Sequence, residues 1–207
     1  IELPTPALIG VVHLLPLPGS ARHTLPMQEI VNRALVDARA LREAGFDAAI
    51  IENYGDAPFT AGSLPPASVA AMTVAAHAVR EETGLRIGIN ALRNDAQAAL
   101  GIAAASGANF IRINVHTGVY ATDQGVIVGR AHETLLFRTQ LGSRIGIFAD
   151  VAVKHARPLG EVAVRLHRGA GVRLRLGEGR LRLLGRGRPP VSRERHAGAQ
   201  GQTAPVR

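Results

Sequence analysis

The chain has 207 residues, 46% of them hydrophobic, and a formal net charge of +8, which fits one domain with a buried core, or one domain with an appendage. It contains no cysteine, so disulfides and thiolate metal sites are excluded. No apolar run reaches the ~20 residues of a membrane helix and no secretory signal is apparent, so we expect a cytoplasmic protein.

The charge is distributed very unevenly along the chain. Residues 1–160 contain 13 Lys+Arg and 13 Asp+Glu, whereas residues 161–207 contain 11 Arg and 3 Glu. All seven aromatic residues also lie before residue 160. We therefore predict one patterned domain over residues 1–160 and a basic low-complexity tail over residues 161–207.

The first part repeats one pattern of a short apolar strand followed by an alanine-rich helix. The predicted strands cover residues 7–14, 48–53, 86–92, 110–116 and 146–154, and the predicted helices cover residues 27–44, 68–83, 95–106 and 131–141. A glycine follows each helix, where a left-handed helix end favours it. Apolar strands that alternate with helices indicate βαβ units and a parallel sheet.

Two α/β architectures fit this pattern, a doubly wound open sheet and a (β/α)8 barrel. About five strand–helix units are present, whereas a complete barrel needs eight. Polar residues nevertheless recur on one face of the last two predicted strands, namely Arg112, Asn114 and His116, then Asp150 and Lys154. A barrel interior accepts such residues near its C-terminal mouth. We therefore predict an incomplete barrel of the TIM type.

After residue 160 no further strand–helix unit can be recognised. Residues 172–176 and 180–184 alternate apolar and charged side chains, which predicts a two-stranded hairpin, and the composition from residue 185 onward is typical of disorder. With only five units, the first and fifth parallel strands would be open edges. Open edges favour aggregation or a homo-oligomer.

Every predicted strand delivers a polar residue to the same end of the sheet, where parallel α/β proteins bind ligands. Carboxylates and amines there are costly to bury unless paired and often have catalytic roles. The candidate catalytic residues are Glu52, Asp150 and Lys154. The candidate ligand-binding residues are His13, Asn53, Asn90, Arg112, Asn114, His116 and, in the long loop 117–130, Asp123.

Several of these residues also have a purely structural interpretation. Arg112 and Asp150 could form an internal ion pair, His13 could be a core histidine, and Asn90 could bond loop backbone. Asp95 is expected to be the N-cap of the third helix. The sequence by itself leaves both interpretations open for each residue.

No motif indicates a cofactor. The chain lacks a Walker phosphate loop, a G-x-G-x-x-G turn after the first strand, H-E-x-x-H and G-x-S-x-G. His13, His116 and Asp150 have no spacing specific to a metal site, so no metal is predicted. The arginines of the tail could neutralise phosphates, but aromatic residues for base stacking are absent. Nucleic-acid binding by the tail is therefore not favoured as a function.

Several segments together resemble the BtpA/SgcQ family. The similar segments are IGVVHLLPLPGS at 9–20, IENYGDAPF at 51–59, NALRND at 90–95, FIRINVH at 110–116, TDQG at 122–125 and ADVAVKHA at 149–156. The resemblance implies a TIM barrel and a link to photosystem I biogenesis, and some members look like proteins of sugar metabolism. It also implies three more strand–helix units after residue 160. Since these are not found, we hypothesise a frameshift near codon 160, which resequencing would test.

The sequence therefore predicts a small-molecule site that binds, or acts on, a phosphorylated sugar or nucleoside-like ligand. In this hypothesis Glu52 or Asp150 is the general base, Lys154 and Arg112 stabilise anionic groups, and the asparagines orient the ligand. The competing hypothesis is a non-catalytic assembly factor of the photosystem I biogenesis type that acts through protein contacts.

Overall fold

The computed structural model describes residues 3–4, 6–150, 153, 156–160, 172–177 and 180–183. The main elements are β1 (Ile9–His13), α1 (Met27–Glu43), β2 (Ala48–Glu52), a 3-10 helix (Tyr54–Asp56), α2 (Pro66–Thr83), β3 (Arg86–Asn90), α3 (Ala96–Ser106), β4 (Phe110–Ile113), α4 (Ala131–Gln140) and β7 (Gly146–Asp150). The remaining strands are β5 (Val119–Thr122), β6 (Gly125–Val128), β8 (Ala156–Pro158), β9 (Val172–Gly177) and β10 (Arg180–Leu183). The predicted order of five strands and four helices is confirmed, with β1, β2, β3, β4 and β7 as the five strands.

The parallel strands lie in chain order, β1-β2-β3-β4-β7, within one sheet. A doubly wound sheet reverses its strand order at a switch point, and these five strands contain no reversal. Each helix packs against the next along the chain, as expected when all helices cover one face. The fold is therefore α/β, with a parallel sheet of β/α units in the order that a TIM barrel uses.

Successive side chains along each strand point to opposite faces of the sheet, so the two faces carry separate apolar layers. One face packs against the helices, and the other carries the buried cluster of Ala48, Ile50, Phe110 and Phe148. A Cβ on Gly88 would lie 2.2 Å from the ring of Phe110, so only glycine leaves room for the Phe110–Phe148 pair, whose ring centroids are 4.3 Å apart. The next residues on this inner face are the polar ones at the strand ends.

A small antiparallel sheet in the order β6-β5-β8 was not predicted. Its β5–β6 hairpin, over residues 119–128, occupies most of the segment 117–130 that was predicted to be a long loop. The turn is closed by Thr122, whose hydroxyl donates to the carbonyl of Gly125 at 2.8 Å. Gly125 adopts a φ of 99°, which favours glycine.

Where the sequence predicts a tail hairpin, β9 and β10 pair in antiparallel fashion. The prediction that the fifth parallel strand is an open edge is wrong, because β9 pairs in parallel with β7. In this pairing Phe148 lies opposite Val172 and Asp150 lies opposite Leu174. A strand edge needs only backbone partners, and the tail supplies them. Within the described residues β1 keeps one free edge, and its Val11 is 40% exposed.

None of the helices in the described ranges is both long and apolar enough to span a membrane.

Candidate functional site

The inner face ends in a buried polar cluster at the C-terminal ends of four neighbouring parallel strands. We call it the strand-end network, and its members are Glu52, Asn90, Arg112, Asn114 and Asp150. The strand register brings them together, because Glu52 pairs with Asn90 across β2 and β3. Five of the residues singled out in the sequence therefore meet in one place.

Arg112 is the centre of the strand-end network. It donates from Nε and Nη2 to both carboxylate oxygens of Asp150, at 3.1 and 3.0 Å. Its Nη1 donates over longer distances to Glu52 Oε2 (3.4 Å) and Asn90 Oδ1 (3.5 Å). The side chain of Asp150 is 1% exposed and that of Arg112 is 16% exposed. The internal ion pair that the sequence left open is therefore present, in the bidentate geometry that makes such pairs strong.

The two asparagines of the network fix the positions of the charged groups. Asn114 donates to Asp150 Oδ2 at 2.9 Å. Asn90 donates to the backbone carbonyl of Arg112 at 3.1 Å and, at 3.4 Å, to the amide oxygen of Asn114. Each network residue thus bonds at least one other side chain of the network.

Burial raises the pKa of Glu52 above its ordinary value, because desolvation disfavours the carboxylate. Asp150 raises it further, while Arg112, His13 and Arg93 oppose the rise without cancelling it. For Arg112 burial favours the neutral form, but the hydrogen bond and charge of Asp150, together with the charge of Glu52, raise its pKa. The network therefore combines a permanent cation with a carboxyl group poised to take up a proton.

His13 extends the network toward solvent. It ends β1 beside Glu52, and its Nε2 lies 3.7 Å from Glu52 Oε1, while 53% of its side chain is exposed. Its ring stacks on Tyr54, with centroids 4.5 Å apart and planes inclined by 22°. The core-histidine interpretation is therefore wrong, because β1 has no partner strand on its other side in the described part of the chain and leaves this ring open to solvent.

Asn53 directly follows Glu52 but belongs to a different arrangement. Its amide oxygen accepts from the backbone N–H of Leu92 at 2.8 Å, and its Nδ2 donates to Asp56 Oδ2 at 3.0 Å. Asp56 in turn accepts from the backbone N–H of Leu17 at 2.7 Å. Asn53 is 2% exposed, so this geometry supports a role in fixing loops, and the ligand contact of Asn53 stays a prediction.

Asn94 and Asp95 fix a second pair of loops in the same way. Asn94 bonds both the N–H and the carbonyl of Val115, at 2.8 and 2.9 Å, which explains why β4 ends before its predicted boundary. Asp95 caps α3 by accepting from the N–H of Ala98, as predicted, and also accepts from the N–H of Leu64. We refer to Asn53, Asp56, Asn94 and Asp95 as the loop anchors.

The remaining candidates lie elsewhere. His116 is half-buried just beyond β4. Asp123 is exposed in the turn between β5 and β6, outside the strand-end network. Lys154 lies outside the described residues, so its proposed role stays a prediction.

A separate cavity of about 240 Å³ lies between the connection from β3 to α3, the strand β6 and the start of α4. It is smaller than the ~300–1,000 Å³ of ordinary ligand pockets, and no member of the strand-end network lines it. Within the described ranges, no group of three or more His, Asp or Glu residues is placed to hold a metal ion.

Fold and site together define a parallel β/α protein whose strand ends carry a buried, charged network beside a solvent-exposed histidine. The sequence model of the BtpA family matches residues 5–169. The chain belongs to the BtpA family. The match extends nine residues beyond the predicted junction at residue 160, and the frameshift hypothesis stays a prediction.

Two relatives illustrate the similarity. The "Photosystem I biogenesis protein BtpA" of Synechocystis sp. is 53% identical over 153 residues, which cover 74% of this chain and 53% of that protein. An uncharacterized protein of Pyrococcus horikoshii is 52% identical over 72% of this chain and 57% of its own length. The chain thus spans a little over half the length of these relatives.

Among solved structures, a mandelate racemase/muconate lactonizing enzyme-like protein from Rubrobacter xylanophilus is similar with a TM-score of 0.33 and 12% identity. The similarity covers 70% of this chain and 50% of that one.

Proposed function

We propose that the strand-end network is a small-molecule site at which Glu52 takes up or releases a proton from a sugar or nucleoside-like ligand. One observation carries this proposal. A buried carboxyl group of raised pKa lies between a permanently charged arginine and an exposed imidazole, at the C-terminal ends of parallel strands. General acid–base catalysis needs a pKa moved toward neutrality in this way.

The geometry divides the roles of the other residues. Asp150 and Arg112 hold each other and set the electrostatic field around Glu52, so we propose them as positioning residues. Asn90 and Asn114 keep that pair in place. Lys154 keeps its proposed role of stabilising anionic groups.

A phosphate on the ligand would bind outside the network. Arg112 already donates to two carboxylates, and its charge is therefore neutralised within the network. Complete barrels of this type commonly bind phosphate in the loops after their seventh and eighth β/α strands, whereas the strand-end network lies at the second to fifth parallel strands. We therefore place the sugar or nucleoside part of the ligand, rather than a phosphate, beside Glu52.

The test is a thermal-shift screen of sugars and nucleosides on the 207-residue chain, followed by affinity measurements on Glu52→Gln. The amide keeps the size of Glu52 but cannot take up the proton. The matched control is Glu43→Gln on the exposed surface of α1. We expect the first variant to lose at least about tenfold in affinity, equivalent to roughly 1.4 kcal/mol, and the second to bind normally. Equal binding by both variants would refute the proposed site.

The relative named for photosystem I biogenesis supports a second candidate function, an assembly role through protein contacts. Val36, Val74 and Leu136 are at least half exposed, each on a different helix, and could contact a partner. The test is rescue of photosystem I content in a Synechocystis strain that lacks its own BtpA. An assembly role predicts that Val36→Ser or Val74→Ser weakens rescue while Glu52→Gln does not, and the reverse pattern would favour the small-molecule site.

A further inference from the structure

Three aromatic rings lead outward from the strand-end network to solvent. His13 lies against Glu52 and stacks on Tyr54, and Tyr54 lies 6.0 Å from Phe59 at an inclination of 52°. Tyr54 is 55% exposed even though His13 stacks on it. We propose that Tyr54 is the stacking surface for an uncharged, hydroxylated ring whose polar groups reach the network.

The position of Tyr54 is fixed by the backbone around it. It begins the 3-10 helix, and the N–H of Gly55 donates to the carbonyl of Leu14 at 3.0 Å. A Cβ on Gly55 would lie 2.6 Å from that carbonyl oxygen, so glycine is needed for this close approach. The loop anchor Asp56 then ties the same turn to Leu17. A ring held this firmly loses little conformational freedom when a ligand stacks on it, which favours binding.

The chemistry next to the aromatic surface selects the ligand class. Carboxylate and amide groups accept and donate hydrogen bonds to hydroxyls, and an aromatic face packs against the flat or apolar side of a ring. The formal charge of Glu52, Arg112, Asp150 and Arg93, whose charge also acts on Glu52, sums to zero when Glu52 is ionised and to +1 when it is protonated. A neutral ring with hydroxyls fits a network whose own charges are nearly balanced.

This inference rests on the proposed function, since it takes Glu52 as the polar end of the same site. It adds Tyr54, which is not among the site residues predicted from the sequence. One imidazole ring separates the aromatic surface from the carboxyl group, because His13 touches both. A ligand whose ring stacks on the open face of Tyr54 therefore has to extend past His13 to bring a hydroxyl to Glu52.

The experiment titrates the 207-residue chain with adenosine, methyl β-D-ribofuranoside and ribose 5-phosphate, using calorimetry for affinity and saturation-transfer NMR for contact. The variants are Tyr54→Ala, Tyr54→Phe, Glu52→Gln and, as the exposed apolar control on α2, Val74→Ala. Circular dichroism checks that each variant folds. Adenosine alone binding would place the base on Tyr54, whereas binding of the riboside as well would place the sugar there.

We expect at least one uncharged probe to bind, Tyr54→Ala to weaken it about tenfold, and Tyr54→Phe to stay within about twofold because the ring is kept. Val74→Ala should bind as the unmodified chain does. Failure of both uncharged probes, or normal binding by Tyr54→Ala, would overturn the proposal. If Glu52→Gln then still abolishes binding of ribose 5-phosphate, the proposed function survives without the aromatic surface. If Tyr54→Ala weakens binding but Glu52→Gln does not, the aromatic surface survives and the role of Glu52 fails.

Discussion

The loop anchors and the strand-end network use similar residue types at the same end of the same sheet, yet they bond differently. Most hydrogen bonds of the loop anchors go to backbone N–H and carbonyl groups of neighbouring loops. Most hydrogen bonds of the strand-end network join its own side chains. Backbone partners explain why a buried Asn or Asp is needed for folding. A buried network of side chains that bond one another, with a carboxyl group whose pKa burial raises, has no such structural necessity and supports our proposal of a functional site.

The largest effect that this comparison predicts is on Asp150. Asp150→Asn removes one carboxylate from a buried pair and leaves Arg112 incompletely neutralised, so we expect a loss of about 3 kcal/mol in the free energy of unfolding. Urea denaturation measures it. Asp37→Asn, which breaks the exposed pair with Arg33 on α1, is the control and should cost less than about 1 kcal/mol. Equal losses in the two variants would mean that burial of the Arg112 pair has no energetic consequence.

Substitutions in the loop anchors should lower stability with much less effect on ligand affinity. Asp56→Ala leaves the buried N–H of Leu17 and the amide of Asn53 without their partner, so we expect a loss of about 2 kcal/mol. The same denaturation experiment measures it. Under the proposed division, ligand affinity per folded molecule changes in Glu52→Gln but much less in Asp56→Ala. The comparison fails if Asp56→Ala loses affinity while its unfolding free energy is unchanged.

The smallest effect is a change in the pH dependence of stability. Because the folded state raises the pKa of Glu52, the native protein binds this proton more tightly than the unfolded chain does. The stabilisation that this tighter proton binding provides is complete below the pKa of Glu52 in the unfolded chain. It is lost as the pH rises through the pKa of Glu52 in the folded protein. Glu52→Gln should remove the part of the loss of stability with rising pH that Glu52 causes. Relative to the unmodified chain, the variant should therefore be more stable on the alkaline side. Parallel pH profiles of melting temperature for the two proteins would contradict the raised pKa.

Much of the fold could be predicted from local patterns. Apolar strands, alanine-rich helices and the glycines after them are local signals, and the alternation of Ile111 and Ile113 with Arg112 and Asn114 showed which face of β4 is polar. The β5–β6 hairpin was missed because its alternation was hidden inside a glycine-containing loop. The pairing of β9 with β7 depends on tertiary contact between distant segments, for which the sequence carries no local signal.

The candidate site could be predicted only in part, because strand ends are a local signal whereas the partners of buried side chains depend on tertiary structure. Strand ends identify which residues converge, so Glu52, Arg112 and Asp150 could be found without a structure. Whether an asparagine bonds backbone or another side chain depends on loop positions, so the anchoring role of Asn53 could not be foreseen. The proposed role of Tyr54 depends on its stacking against His13, which joins residues 41 positions apart in the sequence.

The most direct test of the central claim is the titration of the Glu52 carboxyl group in the 207-residue chain, followed by 13C NMR and assigned by its loss in Glu52→Gln. We predict a pKa above the ordinary value of 4.5 for this residue, and a further change when an uncharged ring ligand binds. A Glu52 that titrates at or below its ordinary value, with or without ligand, would contradict the account of the strand-end network as a proton-transfer site.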